Sequence, residues 1–254
     1  MIRPFSVVCE IEPATRPDLT RVRHQVGVMA PVASAFLVPD NHIGRATVSS
    51  IAVAHEVGLM GGRAIACLNA RDRNVLGFRR DLLTAAAYGV DEFLFVYGDR
   101  PETGRRSDDL TVRSMVDEAR RFAGPGSLRP FRIGVTSTLT PLPAWKQDAD
   151  FLFVQVSFSV DELVRWREKI EFQGPVFAAV MAPASPAMAR KLSADIPQLA
   201  VPAWLIDALE SDPKAGVDFA CEMVASVRAS GAFDGVHLIP VAHYREIAAR
   251  LERL

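Results

Sequence analysis

The sequence predicts a single (β/α)8 TIM barrel, an α/β fold, over residues 1–254. Three observations lead there. Eight short apolar runs alternate with amphipathic stretches along the chain. Three of the runs end in Glu10, Asp99 and Gln155, and the carboxyl ends of parallel strands are where such folds place their chemistry. The chain has 254 residues and 49% hydrophobic content, the usual size of a one-domain barrel. An open doubly wound sheet is the runner-up, but no GxGxxG follows the first strand. No linker, repeat or low-complexity tract divides the chain.

The strands are expected at Ser6–Ile11, Ser34–Val38, Ala64–Leu68, Glu92–Val96, Phe131–Thr136, Asp150–Val156, Pro175–Met181 and Gly235–Pro240. The clearest is the fourth, because Phe93 to Tyr97 are β-branched or aromatic apart from one Leu, as in a fully buried strand. Helices are expected at Thr47–Val57, Leu76–Tyr88, Thr111–Phe122, Val160–Gln173, Pro186–Ala194 and Asp218–Ser230. Ser159 precedes VDELVRWREKI as an N-cap. Gly58, Gly89, Gly174 and Gly231 stand near helix ends, where left-handed backbone is wanted. The polar loop from Pro101 to Asp109 follows the fourth strand and would flank the mouth.

The bulk chemistry excludes several classes. A net charge of −1 gives no nucleic-acid footprint or membrane patch. No apolar run approaches the ~20 residues that span a bilayer. Cys9, Cys67 and Cys221 are widely spaced, with neither a disulfide framework nor paired zinc spacing, so a reducing cytoplasm is expected. The N-terminus meets acids early and makes a poor signal peptide. The five histidines, His237 among them, form no HxH or HExxH pair, so no metal site is expected. There is no GxSxG nucleophile elbow. VAHYREI after the last strand has no glycine for a phosphate cup. Trp145, Trp166 and Trp204 read as packing residues.

Glu10 is the first candidate. Alternation puts Val8, Glu10 and Glu12 on one side of the strand, with Cys9 and Ile11 on the other. Burial beside a second carboxylate would favour its protonated form, which suits a general acid. The competing reading is an edge carboxylate that pairs with an Arg or caps amides. Asp99 follows Gly98 at the exit of the fourth strand, and its competing reading is a turn aspartate. Gln155 interrupts an apolar run, and a buried amide must be satisfied by backbone or by a ligand edge. Two acids and an amide at three strand ends would suit a cationic, amide-bearing ligand. ARDRN, residues 70–74, reads as a solvated turn rather than an anion site.

With these residues in place the chain resembles the methylenetetrahydrofolate reductase family. VCEIEP resembles the family's first-strand segment and CLNARDRN its third. GVDEFLFVYGDRP resembles the fourth-strand Gly-Asp motif, and FLFVQVSFSVDEL resembles the sixth-strand segment. PAWL and FDGVHLIPVAHYREI resemble the seventh helix and last strand. The resemblance implies an enzyme that interconverts 5,10-methylenetetrahydrofolate and 5-methyltetrahydrofolate with NADH or NADPH. It makes Glu10 the proton donor and gives Asp99 the developing positive charge to stabilise. It gives Gln155 the pterin, so Asp99 and Gln155 are the substrate contacts. It also implies FAD, with Cys67, Asn69 and Tyr97 standing at cofactor-binding positions.

Departures concentrate on the flavin side. Tyr97 stands where the family has Arg, Cys67 where it has His and Asn69 where it has Thr. Leu192 or its neighbour replaces a stacking Phe, and His243 replaces the last Arg. STLTPLPAW runs almost directly into the sixth strand, as though the helix between had been cut away. The expectation is a divergent member with weak flavin binding or none, taking hydride directly from the nicotinamide. The partners implied are a tetrahydrofolate, no nucleic acid, no membrane, and a homo-oligomer or partner subunit. Two alternatives stay open: a non-catalytic folate-binding or partner subunit, and a pterin-binding methyltransferase-like barrel.

Overall fold

The computed structural model describes residues 4–100, 102–122, 130–196 and 199–253. Eight strands occupy the apolar runs: β1 (Ser6–Glu10), β2 (Ala35–Val38), β3 (Ala64–Asn69), β4 (Glu92–Val96), β5 (Arg132–Ser137), β6 (Phe151–Val154), β7 (Val176–Met181) and β8 (Gly235–Ile239). All neighbours pair in parallel, and β8 closes on β1 with Val8 opposite His237. The barrel is therefore the predicted (β/α)8 fold.

Helices α1 (Thr20–Met29), α2 (Ser50–Leu59), α3 (Val75–Ala87), α4 (Val112–Phe122), α5 (Val160–Arg167), α6 (Pro186–Asp195), α7 (Ala203–Ser211), α8 (Ala215–Ser230) and α9 (Tyr244–Leu251) follow in chain order. Caps set several starts. Ser159 Oγ accepts the Glu162 N–H, and Ser185 Oγ accepts that of Met188 with Pro186 at the first helical position. Helix α5 stops at Arg167, earlier than predicted. Ile170 and Phe172, two residues apart, both reach the core, a spacing that extended chain provides and a helix does not. Between β5 and β6 a short 3-10 turn, Ala144–Asp148, stands in place of a helix.

Gly89 and Gly231 take the expected left-handed geometry, at φ 70° and 63°. Gly58 lies inside α2, and it is Gly61 (φ 82°) that turns the chain there. Gly174 is needed for space instead: a Cβ would stand 2.4 Å from the Asp150 carbonyl oxygen. Trp204 departs from its expected packing role. It is 58% exposed, with one ring edge against Phe219.

Alternation divides the core in two. Cys9, Phe93 and Phe95 face the helices, while Val8, Leu37, Cys67, Leu94, Phe151, Phe153 and Phe177 fill the barrel. Gly134 makes room for Phe151, since a Cβ there would lie 2.0 Å from its ring. At the amino end of the strands Glu92 pairs with Arg63 and Arg132, and Arg132 lies over the Phe151 ring. The interior is thus plugged from below and open at the carboxyl end. Among the described residues no helix is long and apolar enough to cross a membrane.

Candidate active site

The carboxyl ends of the strands surround a cavity of about 780 Å³. That is room for a drug-sized ligand. Glu10, the last residue of β1, keeps the inward parity of Val8 and lines this cavity. Its side chain is 18% exposed, and Oε2 lies 3.0 Å from His237 Nε2. His237 stands inside β8, with its ring parallel to Phe153 at 5.2 Å between centroids. Tyr244, the first residue of α9, donates its hydroxyl to the Glu10 carbonyl oxygen at 3.3 Å. Glu12 is exposed and pairs with Arg21.

Asp99 also lines the cavity, but it is exposed. Its Oδ2 accepts the Ile43 N–H at 3.0 Å, tying the β4 exit to the loop beyond β2. Ile43 adopts φ 56°, a left-handed conformation costly for a β-branched residue. Gly98 turns the chain into Asp99 at φ 96°, and a Cβ there would come within 2.9 Å of Asn69. Gln155 sits one residue beyond β6, its N–H bonded to the Ser137 carbonyl. Its neighbour Val156 is the residue on the cavity wall.

The three positions assigned to a cofactor fall into different surroundings. Cys67 lies in the barrel interior on the cavity wall. Burial first, then the charges of Glu10 and Asp40, push its thiol well above the ordinary range, so it stays protonated. Tyr97 is exposed and its hydroxyl accepts from Arg106 at 2.8 Å. Asn69 is fully buried. Its Nδ2 donates to Asp40 at 2.8 Å and its Oδ1 accepts the Asp72 N–H at 2.9 Å.

ARDRN is not the solvated turn expected. Arg71 is 2% exposed and bonds Asp72, while Arg73 bridges Asp40 and Asp81. Arg71 is buried while Asp72 stays exposed, and the segment holds the floor of the mouth: Arg73 fixes Asp40, and Asp40 fixes Asn69. His237 belongs to the site although no motif marks it. The signal was its inward parity in an apolar strand, which points to Glu10 only once β8 is known to close on β1. A second cavity of about 360 Å³, lined by His55, Arg63 and Glu92, lies at the opposite end and holds none of the candidates.

Fold and site together define a (β/α)8 barrel whose open mouth carries a carboxyl–imidazole pair. Residues 145–254 match the methylenetetrahydrofolate reductase family, so the resemblance read from the motifs is supported over that part of the chain. Gln155 and His237 fall inside the matched segment, Glu10 and Asp99 outside it. No curated protein matches the chain. Among solved structures, a Clostridium thermocellum protein that binds two copies of 5-methyl-5,6,7,8-tetrahydrofolic acid is 10% identical, with TM-score 0.67, over 99% of this chain and 94% of its own. A Rhizomucor miehei β-1,3-glucanosyltransferase is also 10% identical, with TM-score 0.57, over 93% and 86%. Tryptophan synthase from M. tuberculosis is 13% identical, with TM-score 0.52, over 99% and 92%. At these identities the likeness is one of fold.

Proposed function

We propose that this protein interconverts 5,10-methylenetetrahydrofolate and 5-methyltetrahydrofolate, using NADH or NADPH directly as the hydride donor. The observation that carries the reading is Glu10, an acid on the cavity wall held by His237, in a chain with a methylenetetrahydrofolate reductase match. The folate bound by the Clostridium thermocellum neighbour supports the substrate class.

The chemistry suits the residues. In the substrate a methylene bridges two nitrogens. Glu10 gives a proton to one of them, the bond to that nitrogen breaks, and the iminium cation that remains accepts hydride. Asp99, at the rim, supplies fixed negative charge near the cation. For it to do so, the Ile43 N–H bond must loosen or be shared. The polar wall of Glu10, Asp40 and Asp99 suits a cationic pterin.

The residues do not fit a flavin held in the family's manner. The Asn69 amide is committed to Asp40 and to the Asp72 N–H. The Tyr97 hydroxyl is committed to Arg106. The β5–β6 connection carries a 3-10 turn in place of the helix that the resemblance leads one to expect there. We therefore assign hydride supply to the nicotinamide and derive no step through FAD.

Glu10→Gln keeps the shape of the side chain and removes its acid. The expected result is a kcat loss of about 10² to 10⁴, the usual size of a general-acid contribution, with an unchanged fold. Undiminished turnover would remove Glu10 from the chemistry and favour a barrel that only grips a pterin.

A further inference from the structure

We propose that His237 is the proton supply behind Glu10: imidazole and carboxyl share one proton, and His237 reloads Glu10 after each delivery. The proposal rests on the reductase reading and adds the group that keeps its acid charged. His237 acts through Glu10 and touches no reacting atom.

The geometry is that of a built pair. β8 and β1 are bonded neighbours with His237 opposite Val8, so Glu10 lies on the same inner wall, two residues towards the mouth. Nε2 stands 3.0 Å from Oε2. The Phe153 ring, 11° from parallel, fixes the imidazole plane. Both groups are largely withdrawn from water, at 10% and 18% side-chain exposure. A lone charge there is costly, whereas a pair holding one proton is neutral overall.

The proton count closes. Turnover consumes one proton and one hydride. The pair starts as carboxylic acid and neutral imidazole. Glu10 passes its proton to the bridging nitrogen, which also keeps the electron pair of the broken bond, and the methylene carbon then accepts hydride. Carboxylate and imidazole remain. Solvent at the mouth protonates the imidazole, and the imidazolium returns that proton to Glu10.

The groups packed around the pair do not compete for this proton. Burial and the charge of Glu10 push Cys67 on β3 and Cys9 on β1 upward, so both stay protonated. Tyr244 on α9 is also pushed up, by burial first and then by Cys9, Glu10 and Glu12. Beyond β2, Asp40 is engaged by Arg73 and Asn69, and Glu12 by Arg21.

The test is kcat against pH for the wild type and His237→Gln, with methylenetetrahydrofolate and NADH. Glutamine keeps an N–H that can reach Glu10 but neither takes up nor releases a proton near neutral pH. When protons are plentiful solvent can reload Glu10 directly, so the relay matters more as they become scarce. The variant is therefore expected to keep KM within about twofold and to lose about 10- to 100-fold in kcat, with the loss growing as pH rises. A variant with the wild-type profile overturns the relay and leaves the reductase reading intact. A wild type that never turns over this substrate overturns both. Should His237→Gln fail to fold, the ¹⁵N-imidazole chemical shifts of His237 at one neutral pH decide without it. The His237 Nε2 resonance is expected to shift in Glu10→Gln, and an unshifted resonance overturns the shared proton.

Discussion

At the scale of single residues the barrel interior separates groups that can move a proton from groups that cannot. Cys67 lines the cavity, yet burial, Glu10 and Asp40 hold its thiol protonated. Thiolate is the reactive form, so Cys67 is expected to resist iodoacetamide in the native protein at neutral pH. Rapid labelling of Cys67 before unfolding would contradict its placement. The sign of the stability effect follows. Folding raises the thiol above its ordinary 9.0, so the fold's preference for the protonated form is fully present below that pH. As pH rises past it, the unfolded chain releases a proton that the folded chain retains. Cys9 and Tyr244 shift in the same direction. Tm is therefore expected to fall steadily above about pH 9, and a flat Tm into the alkaline range would refute this. Glu10 was legible in the sequence because an acid in an apolar strand needs a reason. His237 was not, because its partner lies on the strand most distant in sequence. ARDRN misled because buried and solvated arginines look alike until Asp40 and Asp81 are seen beside them.

At the scale of elements, the strands follow from apolar runs, and side-chain caps mark the starts of α3, α5 and α6. Parallel barrel strands are covered on both faces, so they read as continuous runs, and each lies within two residues of its predicted bounds. Helix α5 was less legible because its end is set by the burial of Ile170 and Phe172. Two substitutions test these assignments. Ser159→Ala removes the side-chain acceptor at the start of α5 and is expected to cost about 1 kcal/mol in urea unfolding. Gly134→Ala forces a methyl into the Phe151 ring, an overpacking expected to cost about 1–3 kcal/mol. A stable Gly134→Ala protein with unchanged midpoint would mean that Phe151 does not sit where the interior packing puts it.

At the scale of the whole molecule, the fold leaves one open end, and the sequence positions its polar groups there. The plug of Glu92, Arg63 and Arg132 closes the other end, so ligand access runs through the mouth formed by the loops after β1, β2, β4 and β8. The site was only partly legible as a whole. Glu10 and Asp99 reach the cavity, Gln155 sits beside it, and Asn69 serves the floor through Asp40. The connection between β5 and β6 is a short 3-10 turn rather than a helix, the largest departure from a regular barrel on this side of the fold. The measurement that tests the central claim is anaerobic NADH oxidation with methylenetetrahydrofolate, on protein stripped of flavin and again with FAD restored. Turnover without FAD, with no gain when it is added, is the expected result. Turnover that appears only with FAD would contradict it.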